Sequence, residues 1–422
     1  MGLSKEMWQQ GNIGLVVADG TFTTNGVFKH TMLIAVSFDG NNQIVVLAFA
    51  ACDIENTSNW CWFLSRLLQD FPGIHVFQAD ADKGIESIQF KNMLAGIHAL
   101  PGRCALHLAR NCGEHIDGKF NEKDKQMVIS IAKARTKETY FLRLALLREV
   151  KEKAADWIDE RREQFATYCF LDRGKRRFGK VTSNGVENLN GIILGLREKP
   201  IYDLTLGLLT RSIVQQHKRV QEGKAWQTSG QELVEHADCM RVSTMSNART
   251  RKVVVTFQEG DLYKALVSHD GSDSRSTVTV EVNATTYQIS CPCDWTREMG
   301  APCVHAMALI INKSLEPSDK RWYDSIYHTS TYCRMYAMEP PDLSSVNRLT
   351  VTDIIPPEHK RTTGRPKSTR KNRDFYRASA NSHSCHGCGV VGHHMSTCQN
   401  PNTQFRYEMF HKEALKWPTA SW

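Results

Sequence analysis

Short apolar runs separated by turn residues open the chain and predict a β-sheet. Three of them come first, at Ile13 to Ala18, Thr31 to Phe38 and Gln43 to Ala50. The sequence Asp-Gly-Asn-Asn at 39–42 separates the last two runs and is typical of the turn in a β-hairpin. A fourth run, Ile74 to Ala79, predicts one more strand.

Helical patterns fall between and after these strands. One stretch repeats apolar residues at the spacing of a single helix face: Trp60, Phe63, Leu64, Leu67, Leu68 and Phe71. A second helix is predicted from about Gly84 to Leu94, and a short fifth strand that carries Cys104 and His107 is predicted after Pro101-Gly102. The predicted order is therefore βββαβαβ, an α/β arrangement.

The rest of the chain divides into further regions by its pattern. Residues from about 119 to 172 carry helical patterns rich in Lys, Glu, Arg and Ala, which we interpret as a helical insertion within a first domain at 11–240. From about 250 to 315 the apolar period changes to two residues, which predicts the strands of a separate small domain. A polar, basic linker at 356–375 and a cysteine-rich segment at 383–400 follow.

Two of the apolar runs close on an aspartate. Asp19 follows the first run and precedes a glycine at which a turn is expected, and Asp80 follows the fourth run. Two carboxylates at matching strand ends predict a metal site, because Mg²⁺ prefers hard oxygen ligands. Glu187, near the first turn of a helix predicted after the insertion, supplies a third carboxylate. This order of strands and acids is the layout of a ribonuclease H-like fold.

Each carboxylate also has a purely structural interpretation. An aspartate in a turn accounts for Asp19 or Asp80, and Asp82 is a rival of Asp80 as the second ligand. Glu187 lies three residues after Asn184, so the pair fits the Asn-x-x-Glu pattern of a capping box at a helix start. Local sequence leaves these alternatives open.

Six of the thirteen cysteines fall with histidines into two clusters that suit closed tetrahedral Zn²⁺ sites. The first, C-x-C-x9-C-x-H, consists of Cys291, Cys293, Cys303 and His305. The second, C-x2-C-x4-H-x4-C, consists of Cys385, Cys388, His393 and Cys398. His394 fits this second spacing less well because it is off by one residue. A small core of buried cysteine and histidine is the alternative for the first cluster.

Charge and composition predict what kind of partner the protein binds and in which compartment it lies. The 422 residues carry a formal net charge of +8, which favours a polyanionic partner. Since no apolar run reaches about eighteen residues and the N-terminus lacks the layout of a signal peptide, we expect an intracellular protein without a membrane span. In such a reducing compartment, the cysteine clusters are expected to bind zinc.

A short segment of the basic linker, Thr363-Gly-Arg-Pro-Lys367, resembles the core of an AT-hook. In that motif an extended Arg-Pro segment lies in a narrow A·T-rich minor groove, where Arg365 and Lys367 would contact DNA. The flanking Arg370 and Lys371 would contact phosphates and make binding dependent on salt. A solvated basic linker or a nuclear-import signal fits the same residues.

Several segments together resemble the transposase domain of Mutator-like elements. They are Asp19-Gly-Thr21, Ala79-Asp-Ala-Asp-Lys-Gly-Ile85, Leu100 to Asn111 and Thr182 to Asn190. The first cysteine cluster resembles a SWIM zinc finger and the second a CCHC zinc knuckle. The order of catalytic core, SWIM finger, Gly-Arg-Pro linker and knuckle is typical of that family and covers nearly the whole chain.

The resemblance implies a DDE transposase in which Asp19, Asp80 and Glu187 bind Mg²⁺ or Mn²⁺. In that chemistry, metal-activated water cuts DNA at the element's ends and the freed 3′ hydroxyl attacks target DNA. The resemblance also implies a nuclear protein that acts as a homo-oligomer, with a knuckle that contacts single-stranded nucleic acid. Cys104 and His107 match the family's Cys/His motif. Because two ligands cannot complete a tetrahedral zinc site, the motif is structural, catalytic, or half of a site completed elsewhere.

Two rival functions follow from the same residues. Only about fifteen residues precede the first strand, whereas family members usually carry an N-terminal DNA-binding region. This favours a truncated copy, recognition by the C-terminal modules, or a domesticated, catalytically inactive DNA-binding regulator. A ribonuclease H-like nuclease that cuts without strand transfer shares the same site and differs only in its products.

Overall fold

The computed structural model describes residues 2–11, 13–23, 30–80, 87–116, 120–162, 168–170, 175–269 and 277–338. Asp82, the basic linker and the whole second cysteine cluster lie outside these described residues. The predictions for these parts of the chain therefore stay predictions.

A five-stranded mixed sheet forms the first part of the fold. Its strands are β1 (Leu15–Phe22), β2 (Thr31–Phe38), β3 (Ile44–Cys52), β4 (Val76–Ala79) and β5 (Leu100–Arg103). They lie in the order β3-β2-β1-β4-β5, with β1, β2 and β3 antiparallel and with β4 and β5 parallel to β1. Every residue of β2 is buried, as expected for a strand covered on both faces. The α/β class is confirmed.

Helices connect and cover this sheet. Helix α1 (Gly2–Gly11) precedes it, α2 (Thr57–Asp70) joins β3 to β4, and α3 (Ile88–Ala95) joins β4 to β5. Helix α2 begins where the Asn56 side chain accepts the Asn59 N–H, which satisfies one of the free amides of the first turn. Its buried face includes Trp60, Phe63, Leu64 and Leu67, as the apolar spacing predicts.

The structure corrects the predicted end of the first strand. β1 does not turn after Asp19 but continues to Phe22, because its pairing with β2 extends to Phe22 and Thr31. Gly20 is therefore a strand residue. A Cβ atom at Gly20 would lie 2.6 Å from Glu55 Oε2, so the close approach of that carboxylate explains the glycine.

The prediction that Cys104 and His107 lie on a fifth strand is wrong. β5 ends at Arg103, Cys104 is the N-cap, and His107 lies on helix α4 (Ala105–His115). The strand itself contains Pro101, which a sheet tolerates because β5 is an edge strand. His107 thus projects from a helix at the end of the sheet.

In the described part of the region predicted as a helical insertion lie α5 (Glu122–Ala132), α6 (Lys137–Val150) and α7 (Glu152–Glu160). A capping box between Asn121 and Asp124 starts α5. The apolar faces of these helices bury Leu144, Leu147, Trp157 and Ile158.

The second half of the described chain begins with α8 (Asn184–Ile192), α9 (Ile201–Thr228) and α10 (Glu235–Ala248). A four-stranded antiparallel sheet follows, with neighbours in chain order: β6 (Arg251–Glu259), β7 (Leu262–His269), β8 (Val278–Asn283) and β9 (Gln288–Ser290). The last helices are α11 (Trp295–Met299), α12 (Val304–Asn312) and α13 (Thr329–Tyr336). Among the described residues, no helix is both long and apolar enough to cross a membrane.

The two sheets belong to one compact unit at Met1–Leu349. Helix α12 covers the inner face of the second sheet, where Ala265, Val267, Val280 and Val282 are fully buried. Helix α13 packs against α1 and α9 and ties this half of the chain to the first sheet. The region predicted as a separate small domain therefore packs within the same unit.

Candidate active site and metal centre

Two aspartates lie side by side at the first sheet because of the strand register. Ala18 on β1 pairs with Ala79 on the parallel strand β4, and the next residue on each chain segment is Asp19 or Asp80. The pKa of Asp19 is raised to about 7, chiefly by burial, with His107 lowering it and the nearby carboxylate of Asp80 raising it. Asp19 is thus an acid on the central strand β1 with a second carboxylate close by, at the point where β4 ends.

A third acid, Glu55, lies at the same place and has no signal in the sequence. It follows β3, and its carboxylate occupies the space where Gly20 lacks a Cβ atom. The buried Trp60 indole donates to Glu55 Oε1 at 3.1 Å and orients the group. Glu55 also contributes to the raised pKa of Asp19. Only the fold brings Glu55 to Asp19, since the two are far apart in the chain.

Glu187 reaches the site from α8. Ser183 is the N-cap of this helix, and Ser183 Oγ donates to Glu187 Oε1 at 3.2 Å. The capping box between Asn184 and Glu187 does not form, because Asn184 is already the first helical residue. With 41% of its side chain exposed, Glu187 remains accessible for a ligand.

His107 lies between the carboxylate of Asp80, which follows β4, and that of Glu187 on α8. Its Nε2 atom is 3.5 Å from Asp80 Oδ2 and 3.9 Å from Glu187 Oε1. The pKa of His107 is raised to about 9, chiefly by the neighbouring Cys104 and further by the charges of Asp80 and Glu187. The imidazole is therefore positively charged at neutral pH and offsets the negative charge of the acids.

Cys104 is a buried residue that contacts both His107 and Ser183. It is fully buried, and its sulfur accepts the Ser183 N–H at 3.2 Å. Burial would raise the pKa of Cys104, but hydrogen bonds from His107 and Ser183 outweigh it and lower the pKa below its ordinary value. The structure thus brings the predicted Cys/His motif directly to the predicted carboxylates.

The acids suit a hard divalent cation but do not form a single closed cage. Among the described residues, the only group of three or more candidate ligands within 4.8 Å of one another is the first cysteine cluster. Neither Cys104 nor His107 belongs to it, so the described residues do not complete a zinc site around that pair. Carboxylate oxygens are the ligands that Mg²⁺ and Mn²⁺ prefer, and waters and substrate phosphates usually supply the remaining positions.

The first cysteine cluster forms a site that could hold zinc. The ligand atoms of Cys291, Cys293, Cys303 and His305 all lie within 4.8 Å of one another. Cys291 Sγ is 3.3 Å from Cys293 Sγ and 3.5 Å from His305 Nδ1. Three thiolates and one imidazole on a tight loop match the chemistry of a closed tetrahedral Zn²⁺ site.

The segment between Cys293 and Cys303 contacts the region predicted as a helical insertion. Trp295 lies under the Arg135 guanidinium at 4.2 Å, and Arg135 Nε pairs with the buried Glu298 carboxylate at 2.6 Å. Glu298 also interacts electrostatically with the buried Arg177, which donates to the Ala132 carbonyl at 2.8 Å. The candidate metal centre therefore packs against Arg135, just before α6, and lies near Arg177, in the segment that leads to α8.

Comparison with known families agrees with this geometry. Residues 15–195 match the family model described as "Transposase, Mutator family". The match spans Asp19, Asp80, His107 and Glu187, and it confirms the predicted resemblance for that part of the chain. No curated protein matches the chain.

Proposed function

We propose, from the Mutator family transposase domain that residues 15–195 form, that this protein is a DDE transposase. It would cut DNA at the ends of a mobile element and join those ends to target DNA. The observation that supports this most is the placement of Asp19 beside Asp80, with Glu187 across His107 from Asp80. The strand order β3-β2-β1-β4-β5 supports a ribonuclease H-like core.

The carboxylates of Asp19, Asp80 and Glu187 would hold Mg²⁺ or Mn²⁺. When bound, such ions activate an attacking oxygen and stabilise the leaving oxygen of a phosphodiester. The chain itself sets the geometry: the β1 and β4 register fixes the two aspartates, and the Ser183 hydroxyl orients Glu187. His107 supplies positive charge next to the acids. The side chains of Asp80 and Glu187 are 28% and 41% exposed, so a DNA backbone could reach both carboxylates.

The remaining modules extend the same proposal to partners and location. The SWIM-like centre would hold one structural zinc and the CCHC knuckle a second. The basic linker with Arg365 and Lys367 would bind DNA, and the knuckle would contact single-stranded nucleic acid. Action on paired element ends would require a homo-oligomer, and DNA as substrate would place the protein in the nucleus.

An assay of cleavage and strand transfer tests the proposal. The full chain would be incubated with Mg²⁺ or Mn²⁺ and DNA carrying the ends of its source element. The test variant is Asp80→Asn, and the matched control is Asp156→Asn, an exposed aspartate on α7 that pairs with Arg148. We expect cut and joined products from the wild type and the control, and none from Asp80→Asn.

Other outcomes would identify the rival functions. Cut ends that are never joined would indicate a nuclease. DNA binding by all three proteins without any products would contradict the enzyme and favour the domesticated regulator.

A further inference from the structure

The start of α8 is fixed to the end of the first sheet by backbone contacts. The Cys104 N–H donates to the Ala79 carbonyl at 3.2 Å, and the Ala105 N–H donates to the Val181 carbonyl at 2.8 Å. Ala79 directly precedes Asp80 in the chain. The segment at Cys104 therefore contacts both the strand that presents Asp80 and the segment that leads into α8.

The sulfur of Cys104 completes this connection. It accepts the N–H of Ser183, the N-cap of α8, at 3.2 Å, and both residues are fully buried. Cys104 is also the N-cap of α4, so its sulfur lies beside two helix N-termini. The positive ends of helix dipoles favour a negative or strongly accepting group at such a place. The same Ser183 then donates its hydroxyl to Glu187.

We propose that Cys104 is a positioning residue that sets the orientation of Glu187 through Ser183. This inference rests on the proposed metal-dependent function. Cys104 does not act as a nucleophile, because its fully buried sulfur cannot reach DNA. It is also no zinc ligand here, because it belongs to no group of three or more candidate ligands among the described residues.

The chain offers a matched control for this proposal in Cys112. This residue is also fully buried and lies on the same helix, but its sulfur faces the Ala154 carbonyl at 4.0 Å. Replacing either cysteine by alanine removes the same volume from α4. Only Cys104→Ala removes the acceptor of the Ser183 N–H, whereas Cys104→Ser keeps an acceptor with a shorter reach.

Hydrogen exchange of the full chain measures the positioning without any activity. We expect faster exchange of the amides at 183–187 in Cys104→Ala, a smaller change in Cys104→Ser, and wild-type exchange there in Cys112→Ala. Equal exchange in Cys104→Ala and Cys112→Ala would overturn the proposal. If Cys104→Ala does not fold, the comparison of Cys104→Ser with Cys112→Ala decides in the same way.

Kinetics on element-end DNA then test whether the effect passes through Glu187. A misplaced catalytic group costs on the order of 10²-fold in rate, so we expect kcat to fall by about that factor in Cys104→Ala with little change in KM. In a Ser183→Ala background, which already lacks the hydroxyl that bonds Glu187 but keeps all three carboxylates, the same change should cause no further loss. A full additional loss in that background would overturn the proposal. If no protein cleaves DNA, the proposed function fails, and the exchange experiment still decides the role of Cys104.

Discussion

Ala18 and Ala79 pair across the parallel strands β1 and β4, and this register sets Asp19 and Asp80 next to each other. The partly buried Asp19 carboxyl has a pKa of about 7 instead of its ordinary value near 4, chiefly because burial disfavours its charged form and further because Asp80 is close. Charge of opposite sign is needed to keep both acids ionised. A divalent cation supplies more such charge than His107 alone can.

Metal binding is therefore expected to depend on pH through Asp19. A cation binds the deprotonated carboxylate, so below pH 7 it must displace a proton and its apparent affinity falls by up to about tenfold per pH unit. Above about pH 8, this dependence should disappear. Calorimetry with Mn²⁺ in buffers of different ionisation enthalpy would measure both the affinity and the protons released.

The control for that experiment is Asp19→Asn, which cannot release the proton. We expect it to bind the metal more weakly at every pH and without the change near pH 7. A wild-type affinity that stays constant between pH 6 and 8 would show that Asp19 is not a ligand.

The charge of His107 leads to a second prediction. His107 lowers the pKa of Asp19, so replacing the imidazole by a neutral amide in His107→Gln should raise that pKa above about 7. The pH dependence of Mn²⁺ binding should then move to higher pH. The control is His236→Gln, since burial lowers the pKa of His236 and keeps it neutral. A shift to lower pH in His107→Gln would contradict the assigned charge.

The sequence predicts parts of this site that depend on short stretches of chain. Asp19 and Asp80 each follow an apolar run, and carboxyl ends of parallel neighbours meet at one edge of a sheet, so their proximity could be expected. The grouping of the candidate zinc ligands Cys291 and Cys293 also follows from their local spacing. Glu55 could not be expected, because only the packing of α2 on the sheet brings it to Gly20.

The position of His107 shows a different limit of sequence patterns. Pro101-Gly102 resembles a turn before a strand, but the edge position of β5 allows a proline within the strand itself. The strand therefore ends at Arg103, before the predicted Cys104 to His107, and His107 lies on a helix. Whether a strand is at the edge is a property of the whole sheet and cannot be read from its own residues.

The contact between Gly20 and Glu55 makes a third prediction. In Gly20→Ala, the new methyl group would lie within 2.6 to 2.8 Å of the Glu55 carboxylate, which must move and lose its bond from Trp60. Because the carboxylate is the end of a flexible, partly buried side chain, the main cost is this hydrogen bond, about 1 kcal/mol of folding free energy. Denaturant unfolding would measure the loss, and the double variant with Glu55→Ala should lose less than the sum of the two single changes. Strict additivity would show that the two residues do not interact.

Removal of zinc from the first cysteine cluster should loosen the helical insertion. Without the ion, the segment between Cys293 and Cys303, which includes helix α11, loses its crosslink, and Trp295 and Glu298 on that helix both contact Arg135 just before α6. We expect Cys303→Ser to bind less zinc and to melt at least about 2 °C lower, which corresponds to about 1 kcal/mol or more in a chain of this size. Hydrogen exchange at 130–137 should increase in the same variant.

The exposed Cys239→Ser is the control and should leave the zinc content, melting temperature and exchange unchanged. A Cys303→Ser protein that loses zinc but keeps wild-type exchange at 130–137 would show that the insertion is held by its own packing, independently of the metal centre.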